Sequence, residues 1–112
     1  GPVCGCNGVT YYNASLALAA AVNVKGNGVC GLGAVACQDG ECDDGLTCGK
    51  VMPSGQDCPP SSPGVCWALP AHCPENEPAR FNICGTGNCA GLCDAVASGK
   101  VSIGSALKCG ID

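Results

Sequence analysis

The residues of this chain that could act chemically in concert are its cysteines, 13 in a total of 112. Two chemistries are open to them. Pairwise oxidation would build a disulfide framework, whereas ligation as thiolates would build a metal site. Cys4 with Cys6, and Cys89 with Cys93, have local spacings that suit thiolate ligands. A zinc centre, however, would show paired close spacings with histidine assisting. Here the one histidine, His72, sits beside Cys73, and the cysteines run from one terminus to the other. The pattern therefore points to bridges formed in an oxidising compartment, with no metal and no cofactor. An odd total of 13 leaves at least one cysteine free or bonded to another chain.

Catalysis has little to work with. There is one plausible acid pair, Glu75 and Glu77, and no nucleophile elbow or metal motif, so the chain does not read as an enzyme. The net charge is −4 and the five Lys/Arg are scattered, which argues against nucleic-acid binding. Asp39, Glu41, Asp43 and Asp44 could bind calcium, but their spacing does not fit an EF-hand and a solvated loop face is the simpler reading. The longest apolar stretch, Leu16–Val22, is too short to span a bilayer. With no signal peptide in sight, the chain reads as a mature secreted form.

The elements that would hold these residues are small. Four aromatics (Tyr11, Tyr12, Trp67, Phe81) are few for an ordinary core, and Ala, Val and Cys bury little area each. Cross-links must supply what the core lacks. Asn7-Gly8 suggests a two-residue hairpin turn with positive φ at both positions. Val9–Tyr12 then reads as a strand and Ser15–Ala21 as a helix. Asn13 stands where an N-cap would, and it also opens a glycosylation sequon, Asn13-Ala14-Ser15; both readings stay open. Val22–Val24 suggests another strand and Lys25–Gly28 another turn. Between Cys30 and Cys66 the chain is punctuated by Gly, Pro, Ser and Asp and reads as irregular turns and hairpins. Pro59–Pro63 has the composition of a stiff connector, and Trp67 is expected to pack against a disulfide.

Two stretches of the chain are alike. Pro2–Cys30 and Asn82–Cys109 each begin with a small apolar residue and Cys-Gly. Each then passes through a Gly/Asn turn into an Ala-rich run and a Val-x-Val or Val-x-Ile step, and closes on Cys. The string PVCGCNGVTYYNAS strongly resembles the signature of Kazal-type serine protease inhibitors, Pro-Val-Cys-Gly-x-Asp/Asn-Gly-x-Thr-Tyr-x-Asn-x-Cys, departing at the last position, Ser15. The second stretch is similar more loosely: it keeps Cys84-Gly85, Asn88, Cys93 and Cys109 and lacks the Gly-x-Thr-Tyr strand. The C-x4-C-x5-C spacing of the middle, ahead of GVCWALPAHC, looks like the Cys-rich module of follistatin-like proteins.

The resemblance implies a small disulfide-rich α+β fold. Kazal-like repeats, each with a short helix and a small antiparallel sheet, would be joined by an irregular Cys-rich module. A truncated repeat at 1–30, the module and linker at 31–63 and a second repeat at 64–112 follow from it. So do the bridges Cys4–Cys30, Cys66–Cys89, Cys73–Cys93 and Cys84–Cys109, with Cys37–Cys48 and Cys42–Cys58 the simplest pairing of the module. Cys6 is left over, either bonded to another chain or a free buried thiol.

The family's activity would reside between Cys73 and Cys84, in CPENEPARFNIC. A substrate-like inhibitor presents an extended, rigid loop that adds to the protease as a strand, and Pro74 and Pro78 would stiffen it. Asn88 matches the family's spacer Asn, which supports the loop from behind. Counting from Cys73 places Glu75–Asn76 at the catalytic serine, which suits a subtilisin-like or Glu-specific protease. Chemistry alone would select Arg80–Phe81 for a trypsin-like one. The same resemblance also admits a non-inhibitory extracellular binding or structural module.

Overall fold

The computed structural model describes residues 1–31, 35–37, 42–43, 45–50, 64–73, 80–83 and 89–98. In chain order the elements are β1 (Val3–Gly5), β2 (Thr10–Tyr11), α1 (Ala14–Ala19), β3 (Val24–Asn27), β4 (Ala36–Cys37), β5 (Leu46–Lys50), β6 (Gly64–Ala68), β7 (Arg80–Asn82), β8 (Cys89–Gly91) and α2 (Leu92–Ala97). The protein is a small, disulfide-rich α+β fold. Its main sheet is six-stranded, in the order β3-β1-β2-β6-β4 with β5 also paired to β6, and β7-β8 form a separate pair.

This sheet differs from the expected pair of small antiparallel ones. Its strands come from all three of the segments 1–30, 31–63 and 64–112, and β2 runs parallel to β6, with Thr10 opposite Trp67 and Tyr11 opposite Ala68. The middle of the chain is also more regular than its turn residues suggest. β5 pairs with β6 over five positions, from Leu46 opposite Ala68 to Lys50 opposite Gly64. Apolar and small side chains on both faces explain why β6 sits at the centre: Gly64, Val65, Cys66 and Trp67 are all buried. A short continuous apolar run of this kind is what a strand covered on both sides requires.

Alternation along β6 divides the interior in two. Val65 and Trp67 point to one side, where they meet Phe81, Leu92, Ala95 and Val96 from β7 and α2. Ala68 packs on the other side against Val3, Val9, Tyr11 and Ala17, the last of these from α1. Cys66 also lies on that second side, clustered with Cys37 and Cys48. The disulfide of Cys66 and the indole of Trp67 thus face opposite ways.

Local chemistry sets the ends of the elements. The β1–β2 connection is a three-residue loop rather than the expected two-residue turn. The Gly8 N–H donates to the Gly5 carbonyl at 3.0 Å and the Gly5 N–H to the Val9 carbonyl at 2.9 Å. Gly8 alone of the Asn7-Gly8 pair has positive φ, 83°. That is a turn followed by a left-handed glycine, the usual three-residue hairpin solution. At the start of α1 the Asn13 side-chain oxygen accepts from the Leu16 N–H at 2.9 Å. At its end, the Ala21 N–H donates to the Leu18 carbonyl and the Val22 N–H to the Ala17 carbonyl, both at 2.9 Å. This is a Schellman closure, which places Ala21 in the left-handed region at φ 58°. The strand expected at Val22–Val24 begins at Val24 and takes in Lys25, Gly26 and Asn27, with all four residues exposed.

Two measurements check this account. Ala21→Gly relieves a left-handed alanine and should raise unfolding stability by about 1 kcal/mol in urea titrations. Gly49→Ala should do the reverse. A Cβ there would lie 2.6 Å from Trp67 Nε1 and 3.1 Å from Val96 Cγ1, against an indole that is fully buried. The expected loss is about 1–3 kcal/mol, read conveniently from fluorescence because Trp67 is the single tryptophan.

Candidate functional site

The segment singled out by the sequence starts at Cys73, and both of its flanks are held by the same block of structure. Cys73 is half-buried and bonded to Cys93, with a Cα–Cα distance of 5.5 Å. Cys93 is fully buried and stands second in α2. That helix buries Leu92, Cys93, Ala95 and Val96, with Asp94 outward in its first turn, where a carboxylate complements the helix dipole. On the other flank β7 pairs antiparallel with β8: Arg80 opposite Gly91, Phe81 opposite Ala90, Asn82 opposite Cys89. β8 runs directly into α2, since Gly91 ends the strand and Leu92 begins the helix. Residues 74–79 are therefore bracketed by a covalent bond to α2 at one end and a ladder to β8 at the other.

This placement bears on one of the two bonds considered for recognition, Arg80–Phe81. Phe81 is 8% exposed and belongs to the core cluster around Trp67, and Arg80 is hydrogen-bonded into β7. A reactive bond must be free to lie across a protease cleft as an added strand. Arg80–Phe81 is not, because Phe81 would have to leave the core. Glu75, Asn76, Pro74, Pro78 and Asn88 lie outside the described residues, as do Cys58, Cys84, Cys109, the Pro59–Pro63 connector and three of the four acidic residues, Asp39, Glu41 and Asp44. The fourth, Asp43, is exposed. His72 is exposed on the bend before Cys73.

Bonds join Cys4 to Cys30, Cys37 to Cys48 and Cys73 to Cys93. A fourth joins Cys42 to Cys66, which replaces both Cys42–Cys58 and Cys66–Cys89. The reason is the register of β6. Cys66 stands directly opposite Cys48, and Cys37 is opposite Gly64, two residues along the same face. Cys66 therefore points into the space where Cys37 and Cys48 already meet, and away from α2 and β8. The missing side chain at Gly64 leaves room there: a Cβ would stand 3.2 Å from Cys48 Sγ. The sulfurs of Cys37, Cys42 and Cys48 lie within 4.8 Å of one another. Being oxidised, they offer no thiolate to a metal.

Cys6 carries a free and exposed thiol. It lies in the β1–β2 loop, with its N–H donating to the Asn23 carbonyl at 2.8 Å. The alternative of a buried free thiol is thereby replaced by an accessible one. Among the described residues no helix is long and apolar enough to cross a membrane.

The bridge at the start of the segment should matter locally. Replacing Cys73 and Cys93 together by Ala removes a link between residues 20 apart, at a cost of about 3 kcal/mol. Limited proteolysis should then cut within 74–79 well before the β1–β3 region, as mapped by mass spectrometry. Comparison of the chain with known protein families, with curated proteins and with solved structures finds no match.

Proposed function

We propose that this protein is a secreted inhibitor of a serine protease, acting through a substrate-like loop between Cys73 and Cys84 with Glu75–Asn76 as the reactive bond. The observation that carries the reading is the double anchorage of 74–79 to the β8–α2 block. A loop fixed at both ends has met much of its ordering cost before it binds. After acylation, the new amine stays beside the acyl-enzyme because Cys73–Cys93 and the β7–β8 ladder hold the two fragments together. Religation then competes with hydrolysis, and the protease is held rather than supplied with product. Pro74 and Pro78 add stiffness within the segment. The burial of Phe81 favours Glu75–Asn76 over Arg80–Phe81, and so favours a Glu-specific or subtilisin-like target over a trypsin-like one.

The resemblance of PVCGCNGVTYYNAS to the Kazal signature supports the same reading, and the four disulfides among the described residues are in keeping with an extracellular protein. The free Cys6 thiol offers a second contact, an inter-chain disulfide to a further extracellular chain or to another copy of this one.

Titration against subtilisin, trypsin, chymotrypsin, elastase and a Glu-specific protease tests the proposal. Stoichiometric inhibition of a subtilisin-like or Glu-specific enzyme is expected, with slow cleavage after Glu75. Glu75→Ala should weaken inhibition of the Glu-specific enzyme by at least tenfold, about 1.4 kcal/mol, and Arg80→Ala should leave it unchanged. No inhibition of any of these proteases at micromolar protein would overturn the proposal and leave a non-inhibitory binding module.

A further inference from the structure

Four sulfurs share one face of the central sheet. Cys37, Cys42 and Cys48 bring theirs within 4.8 Å of one another. Cys66 is bonded to Cys42 and stands directly across from Cys48 on the neighbouring strand. Two disulfides therefore occupy one packed volume, and they differ in how far they can be reached. Cys66 is 0% exposed, and Cys37 and Cys48 are each 4% exposed, whereas Cys42 is only half-buried. Thiol–disulfide exchange depends on which sulfur an incoming thiolate can approach. Of these four, that sulfur is Cys42.

We propose that Cys42 is a modification site for a small monothiol, and that its modification is relayed through the whole sulfur cluster. In the first step an external thiolate attacks Cys42 Sγ. The Cys42–Cys66 bond breaks, a mixed disulfide forms on Cys42, and Cys66 leaves as a thiolate. In the second, Cys66 attacks Cys48 across the β5–β6 ladder; Cys48–Cys66 forms and Cys37 leaves as a thiolate. In the third, Cys37 attacks Cys42 in the mixed disulfide; Cys37–Cys42 forms and the external thiolate departs. Two disulfides enter and two emerge, so there is no net oxidation or reduction and the thiol is regenerated. With the thiol in excess, modified Cys42 persists beside a cysteine thiol.

The sequence around Cys42 selects the thiol. Glu41, Asp43 and Asp44 flank it, and Asp43 is exposed. The exposed carboxylate of Asp43, next to Cys42 in a chain of net charge −4, disfavours a thiolate carrying a second negative charge and favours one carrying an ammonium group. The reagent class is a small cationic aminothiol. Because the approach is through solvent, added salt screens the preference.

The test uses the full chain with Cys6→Ser, which removes the exposed free thiol found among the described residues. The protein is exposed to cysteamine or to mercaptoacetate without oxygen, quenched with an alkylating agent and mapped by mass spectrometry. The expected result is cysteamine on Cys42, together with new Cys37–Cys42 and Cys48–Cys66 linkages. Cys4 and Cys73 are half-buried like Cys42, so the relay is read from the rearranged linkages: Cys4–Cys30 and Cys73–Cys93 should exchange no partner with the cluster. Cysteamine should react several-fold faster than mercaptoacetate at low salt, and the gap should close at about 1 M salt, where the screening length is about 3 Å. Adding Cys37→Ser with Cys48→Ser should stop the relay at modified Cys42 and an alkylated Cys66. An unmodified cluster, modification of Cys42 with no Cys37–Cys42 or Cys48–Cys66 linkage, or equal rates for the two thiols would overturn the proposal, and each can be read on the Cys6→Ser protein alone.

Discussion

The side chains of β6 serve two interiors at once. Val65 and Trp67 enter the cluster closed by β7 and α2, while Cys66 and Ala68 belong to the side closed by the N-terminal hairpin, α1 and the sulfur cluster. A five-residue strand thus carries contacts to every other described part of the sheet except its β3–β1 edge. This arrangement constrains each partner strand. Gly49 must lack a side chain because it faces the indole of Trp67, and Gly64 must lack one because the backbone of Gly49 and the sulfur of Cys48 fill that space. Where larger apolar residues would have kept strands apart, glycine lets them close on one tryptophan and one disulfide.

The distribution of bridges follows the same logic. A chain whose apolar residues are mostly Ala, Val and Cys gains little from area alone, and among the described residues each bond has at least one buried sulfur-bearing residue. Cys30 is held to β1, Cys37 to β5, Cys42 to β6 and Cys73 to α2. Among the described residues the polar interior is correspondingly sparse. Thr10 is buried, with its hydroxyl accepting from the Cys30 N–H at 3.0 Å beside the Cys4–Cys30 bond. Among the described residues the Trp67 Nε1 has no hydrogen-bond partner, a desolvation penalty of about 1–3 kcal/mol set against the apolar area that the indole buries.

What could be read from the sequence is mostly what is local. The Asn13 cap, the Ala-rich helix after it and the Thr10-Tyr11 strand depend on neighbours within a few residues, and short-range chemistry specifies them. The oxidised framework was legible from cysteine density. The hairpin loop was not legible, because Asn-Gly is compatible with more than one turn and the choice depends on the Gly5–Val9 pairing, not on the dipeptide. The centrality of β6 was hidden for a different reason. Its residues look like the end of a Pro-rich connector, and only the parallel match of Thr10 with Trp67, far apart in the chain, reveals them as a core strand. The Cys42–Cys66 bond inherits that difficulty, since the register of β6 decides which face Cys66 presents. An apolar run, VCWA, bounded by Gly64 and Pro70 was the available signal for a buried strand.

The parallel junction between β2 and β6 also sets a timetable. The Cys4–Cys30 and Cys37–Cys48 pairs are 26 and 11 residues apart, and each can close within its own stretch of chain. Tyr11 and Trp67 are brought to neighbouring strands only when the chain between them has doubled back, and distant pairings of this kind form late because loop-closure entropy opposes them until the contacts are made. As the chain emerges from its N-terminus, the hairpin, α1 and their bridge exist first as a half-shell with one open edge at β2. The arrival of β6 closes it. Until then the cluster of Val3, Val9, Tyr11 and Ala17 lacks its cover from Ala68, and the Thr10–Tyr11 edge offers its backbone to any strand that comes first.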